Sequence, residues 1–148
     1  MNKRRLAVAC ILIVTVAAAC YAPTPTSAPL PAPAAARSLL ETRWAVSQLN
    51  GAQLSIPDLR PTLIFGGKDT IIGNGGCTGF RGPFFSSGNS ITLGPLSAGT
   101  ASCGQAADQQ EQAYLEALQA ATSYSLDGNE LVLLDASGKE LVRLSRTE

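Results

Sequence analysis

The 148-residue chain contains no histidine. That absence removes Ser-His-Asp and Cys-His catalysis, histidine general bases and histidine-ligated zinc together. Cys-x-x-Cys is also missing, and with it a dithiol redox motif or a paired-cysteine metal site. Neither Gly-Lys-Ser/Thr nor Ser-x-x-Lys occurs, so the two lysine motifs that cradle a phosphate or activate a serine are absent. There is no excess of either charge: 11 basic residues face 11 acidic ones. A nucleic-acid binder would need a cationic surplus to neutralise phosphates, so none is expected as a partner. The uncharged run from Leu6 to Ala19 stops at 14 residues, short of the about 20 that a membrane-spanning helix needs. At this length the chain supports one domain.

What is present falls into three segments. Residues 1–19 place Lys3, Arg4 and Arg5 before the apolar run, the profile of a secretory signal peptide, with a retained transmembrane anchor as the alternative. Taking those three away from the 11 basic residues leaves 8 against 11 acids, so the chain from Cys20 onward carries a net charge of −3. The run ends in Ala17-Ala18-Ala19-Cys20, which resembles a bacterial lipobox, where the cysteine thiol receives a diacylglycerol. Ala17 stands where such motifs usually have Leu, and an ordinary Ala-x-Ala cleavage site is the alternative. Residues 20–37 then hold the lipid-bearing Cys20 and a Pro/Ala/Thr-rich linker with Pro23, Pro25, Pro29, Pro31 and Pro33. Proline at this density forbids helix and ladder; as polyproline II, 17 residues span roughly 50 Å. The membrane, reached through this N-terminal lipid anchor, is the expected partner. If the host has two membranes, Tyr21 after the cysteine directs the expectation to the outer membrane, facing the periplasm.

Residues 38–148 hold all the glycines, which punctuate short β-branched runs. TRWAVSQL (42–49) puts Trp44 and Val46 on one face by alternation. TLIF (62–65) and TIIGN (70–74) flank a Gly66-Gly67-Lys68-Asp69 turn, and CTGFRGPFF and SITL (90–93) read as two further strands. The stretch 105–121 breaks the pattern. It lacks Gly and Pro, is rich in Ala, Gln, Glu and Leu, and places Tyr114, Leu118 and Ala121 on one stripe beside Ala107 and Ala117. A helix of about four turns is predicted, with Asp108 and Glu111 favoured near its start by the dipole. Strands SYSL, ELVLL and ELVRLS follow, joined by Asp127-Gly128-Asn129 and Ala136-Ser137-Gly138-Lys139 turns.

The ordered set TRW around Trp44, Asn50-Gly51, GNGGCTGFRGPF (73–84), Thr100-Ala-Ser-Cys103, then Glu111, Tyr114 and Leu118, and finally Leu131 to Leu133 with DASG, resembles the META domain family, also called HslJ-like. Thr78 departs from the Asn that the family usually shows after the first cysteine. The resemblance implies a mainly β fold with one helix: a small antiparallel β-barrel or strongly curled meander with the helix packed across it. It also implies an envelope lipoprotein linked to structure or stress, with no established catalysis and no cofactor.

The remaining candidates are weighed on their chemistry. GNGGCTGFRG fails as a phosphate loop, since Thr78 takes the place of the third fingerprint glycine; a bulge or tight turn beside Cys77 explains the run. Once Cys10 leaves with the signal and Cys20 carries lipid, Cys77 and Cys103 remain. In an oxidising envelope they most simply form a disulfide; two buried free thiols are the alternative. The acids spread over turns and helix surface, which fits solvation rather than glycoside hydrolysis. Arg81, between Phe80 and Phe84-Phe85, offers either a recognition patch or a strand whose aromatics are core and whose arginine faces solvent. The functional expectation is a non-catalytic lipoprotein; the alternative is a module binding a small ligand or peptide at the barrel mouth or the Phe80–Phe85 strand.

Overall fold

A computed structural model describes residues 39–67 and 69–148; the signal run, Cys20 and the proline-rich linker lie outside the described residues. Alternation of apolar and polar side chains builds the strands. β1 (Thr42–Leu49) turns through Asn50 and Gly51, both at positive φ, into the two-residue β2 (Ala52–Gln53). The Asn-Gly pair tolerates that geometry, as a two-residue hairpin requires. A 3-10 turn at Pro57–Leu59 leads to β3 (Thr62–Phe65), β4 (Thr70–Asn74), β5 (Gly79–Ser87), β6 (Ser90–Leu93) and the short β7 (Ser97–Ala98). The helix α1 (Gln105–Ala120) precedes β8 (Ser123–Asp127), β9 (Glu130–Leu134) and β10 (Glu140–Thr147).

All pairings are antiparallel, in the order β10-β9-β8-β6-β5-β4-β3-β1, and β10 pairs again with β1. Eight strands therefore close into a barrel, which leaves the ring without an open edge. β2 extends β1 and β7 adds to β5 outside this ring. The fold is mainly β with a single helix, and of the two expected shapes the closed barrel is the one observed. The strand read as CTGFRGPFF starts at Gly79 rather than Cys77, because residues 75–78 form a loop.

The interior is filled by side chains. Trp44, Val46, Leu63, Phe65, Ile71, Phe84, Ile91, Leu131, Leu133, Val142 and Leu144 are buried, with Phe65 and Phe84 in an edge-to-face contact at 5.1 Å. On β8–β10 the outer face carries Ser125, Glu130, Arg143, Ser145 and Thr147. Because strands alternate in direction, β3 begins, β4 ends and β5 begins at the same end of the barrel. The helix lies there: Tyr114 packs edge-to-face on Phe80 at 5.9 Å and donates its hydroxyl to the Thr62 carbonyl at 3.2 Å. Full burial pushes the Tyr114 hydroxyl's pKa well above its ordinary value.

Candidate functional site

The polar chemistry of the described residues concentrates where α1 crosses the barrel end. The helix stripe of Ala107, Tyr114, Ala117 and Leu118 is buried as the periodicity predicts, but Gln110 and Glu111 are buried with it. Glu111 Oε2 accepts the Cys77 N–H at 2.9 Å and the Thr78 N–H at 2.7 Å, while Oε1 accepts the Thr78 hydroxyl. Gln110 works on the neighbouring loop. Its Oε1 accepts the Ile56 N–H at 2.8 Å, and its Nε2 donates to the carbonyls of Leu59 at 3.0 Å and Ile56 at 3.3 Å. The expectation that the acids all sit on solvated surfaces is therefore corrected at Glu111. A carboxylate can be buried because loop 75–78 supplies three donors to it.

This network explains the glycine run. A Cβ on Gly75 would stand 2.5 Å from Glu111 Cγ, and one on Gly76, whose φ is +115°, would stand 2.7 Å from the Leu59 carbonyl oxygen. Gly76 N–H is bonded to Asn74 Oδ1 at 2.7 Å. The glycines let the loop press against the helix and the 3-10 turn. The two successive amides that an anion would seek are taken by the chain's own carboxylate, so the loop is a packed staple rather than a phosphate cradle. Thr78 bonds Glu111 through both its backbone and its hydroxyl.

Cys77 and Cys103 are bonded in the structure, with Cα atoms 5.8 Å apart across a separation of 26 residues. The bridge ties the same loop to the residues just before α1. There, Asp108 Oδ1 accepts the Cys103 N–H at 2.9 Å and Oδ2 accepts the Ser102 hydroxyl. The Ser102 bond, then the Cys103 amide, hold the Asp108 carboxyl below the usual aspartate range. Gly104 at the helix start makes no side-chain cap bond, and Asp108 instead organises the residues leading into the helix. Among the described residues, no three His, Cys, Asp or Glu side chains come together as a metal would require.

The Phe80–Phe85 strand divides by alternation. Phe80 and Phe84 are core, Arg81 is exposed, and Phe85 is 68 % exposed. The reading that placed all these aromatics inside is corrected at Phe85, which follows Phe84 and so must face the other way. Among the described residues, the surface depressions include two beside the elements named above. One, of about 570 Å³, opens at the end away from the helix beside Arg43, Asn129 and Arg146. Here Arg146 stands 5.9 Å from the Trp44 ring, whose indole N–H donates to Thr42 Oγ1 at 2.7 Å. The other, about 270 Å³, lies between the β1–β2 hairpin and α1, lined by Leu49, Leu54, Ala106 and Ala113 with amide side chains around them.

Sequence reasoning missed the roles of Glu111 and Gln110. A signal was available: Glu111 falls four residues after Ala107 and three before Tyr114, on the stripe that was read as buried. A carboxylate at such a position needs donors from elsewhere, and the earlier loop 75–78 supplies them.

A helix-capped, side-chain-filled, eight-stranded antiparallel barrel with a disulfide at the cap is the class of fold that the described residues form. The chain matches the META domain over residues 37–148 and belongs to that family. Its fold is similar to that of a Burkholderia xenovorans protein solved by NMR, with a TM-score of 0.59 at 23 % identity, covering 74 % of this chain and 83 % of that one. It is also similar to a DUF4847 family protein from Bacteroides vulgatus, with a TM-score of 0.55 at 16 % identity, covering 71 % and 92 % respectively. No curated protein matches the chain.

Proposed function

We propose that this META domain protein is a non-catalytic, lipid-anchored module of the bacterial cell envelope, acting structurally and under envelope stress. The observation that carries a scaffold role is the filled barrel. Positions that hold a ligand in other barrels of this size are occupied here by Trp44, Phe65, Phe84 and their neighbours, each at most 5 % exposed. The cap end, where a mouth would open, is bonded shut by Gln110, Glu111 and Tyr114. For the anchor, support comes from the small-residue run ending at Cys20 and the proline-rich tether after it. Two or three acyl chains hold a protein stably, where one does so only marginally. The alternative binding site on the Phe80–Phe85 strand keeps one exposed aromatic, Phe85.

The test is Cys20→Ser in the full chain. It is expected to block fatty-acid incorporation and to release the domain from membranes or leave the precursor uncut. A mature wild-type N-terminus that mass spectrometry finds unmodified, or at a residue other than Cys20, ends the proposal. The stress role is checked by deleting the gene and measuring survival under detergent and heat; unchanged survival would remove that part.

A further inference from the structure

The outside of the barrel has two unlike sides. On β8–β10, Val132 points outward between Ser125 and Arg143, yet it is only 8 % exposed. Its neighbour Arg143 is held by ion pairs to Glu130 and Glu140, and the Glu140 bond foremost raises the guanidinium's pKa. An apolar outward residue on that side is thus buried, beside a cation that is itself paired. β4 lies four places round the ring from β9. On its side, register puts Arg43, Ile64, Ile72 and Arg81 in one outward row across four strands. Alternation along β5 adds Pro83 and Phe85 to the same face. Ile72 is 44 % and Phe85 68 % exposed. The charges in this row are both arginines, with Glu41 and Asp69 in the adjoining segments, whereas on the β8–β10 side Arg143 stands among Asp127, Glu130 and Glu140 and is paired with the two glutamates.

The described chain begins at the same end of the barrel as Phe85. Leu39 begins the described chain, and Glu41 N–H bonds the Phe65 carbonyl at 2.7 Å, at the end of the barrel where β3 finishes and β4 begins. Phe84 N–H bonds the Asp69 carbonyl at 2.9 Å, so Phe85 sits at that same end. We propose that the Ile72–Phe85 face is a membrane-contacting surface. It lies against the bilayer that anchors Cys20, with Phe85 and Ile72 entering the headgroup boundary and Arg43 and Arg81 meeting lipid phosphates. This inference rests on the lipid-anchor reading above. A face this small would not hold a free protein on a bilayer. A tethered one needs far less, because the anchor sets a millimolar-order effective concentration of the face at the membrane. Arginine suits phosphate through its planar fork, and anionic lipid attracts juxtamembrane cations. The chain from Cys20 onward carries a net charge of −3, yet both charges of this row are positive, which favours anionic lipid at this side.

The experiment uses the full chain, matured in cells and reconstituted into phosphatidylethanolamine–phosphatidylglycerol vesicles with brominated acyl chains, which quench an indole that enters the interface. Phe85→Trp on the proposed face is compared with Ser125→Trp on the opposite one, with Trp44 as the common buried background. Quenching at least twofold greater for Phe85→Trp is expected, and weaker when phosphatidylcholine replaces the anionic lipid. Equal quenching at both positions, or none at either, overturns the inference. Shielding of the position-85 indole from iodide that grows with protein density but ignores lipid bromination would assign the face to a second copy and also overturn it. Intact-mass measurement of the same samples separates the two claims. Acylated Cys20 with unquenched indoles leaves the anchor standing and removes the face, whereas unacylated Cys20 removes both.

Discussion

At the end where β3 begins, a helix lies across the barrel and its polar side chains bond two loops, around Ile56–Leu59 and Gly75–Thr78. At the other end the strands turn through short connections, and the core stops at Trp44 beneath Thr42 and Arg146. Both ends meet the same demand, that backbone groups near the core keep partners. Short hairpins meet it locally: the turns at Gly88 and Gly128 use glycine at positive φ and need little from the rest of the chain. The loops at the helix end are longer and irregular. They borrow acceptors from a helix that the chain reaches only later, and a disulfide holds the same loop. The capped end should therefore carry more of the stability, and it should fail as a unit.

Glu111→Ala is expected to have the largest effect. It strips the acceptor from two amides and a hydroxyl, each costing about 1–3 kcal/mol when left unpaired in the interior. A drop of about 15 °C or more in Tm is expected for a domain of this size, checked by thermal melting. Glu111→Gln, which keeps an acceptor for the amides, should recover at least half of it. Equal losses for the two variants would mean that the network does not hold the loop.

Removing the bridge with Cys77→Ala/Cys103→Ala comes next. A closed loop of this length restricts the unfolded chain by about 3.5 kcal/mol in the chain-entropy model, so a fall of roughly 10 °C or more is expected, with the fold kept at low temperature. Thiol titration of denatured, non-reduced protein from the native envelope should find neither of these cysteines free. Combined with Glu111→Ala, the losses should add to less than their sum, since both devices hold Cys77. Strict additivity would mean that the two staples act on separate units.

A smaller effect attaches to Asp108. Its folded pKa lies below that of the unfolded chain, so its contribution is present at pH above about 3.9 and is lost as pH falls through the lower folded value. Asp108→Asn should lower Tm by a few degrees at pH 7 and make the decline below about pH 4 shallower. An unchanged acid limb would dismiss the Ser102–Cys103 contacts as a source of stability. The same sign holds for Asp135, held low chiefly by Ser137 in the β9–β10 turn.

The smallest effect belongs to the open end. Arg146→Ala removes an exposed cation from the Trp44 ring and should cost about 0.5–1 kcal/mol, a shift of a few degrees. A loss as large as that of Glu111→Ala would erase the contrast between the two ends.

The strands, their turns and the helix were legible in the sequence because each rests on local pattern. Alternation around Trp44 and Val46, turn residues at Asn50-Gly51 and Asp127-Gly128-Asn129, and a glycine-free run from Gln105 act over a few residues. Less of the cap was legible. The partners of Glu111 lie 33 and 34 residues before it, and nothing in local periodicity names them. Closure of the barrel is longer still, pairing β1 at Trp44 with β10 at Arg146. By itself, then, the sequence determined where the eight strands of the ring and their turns fall and which helix stripe is apolar. Tertiary structure alone decided that the sheet closes, that Glu111 faces inward, and that Phe85 looks out from the barrel. Those outcomes depend on donors, acceptors and surfaces brought together across the whole chain, which no window of sequence contains.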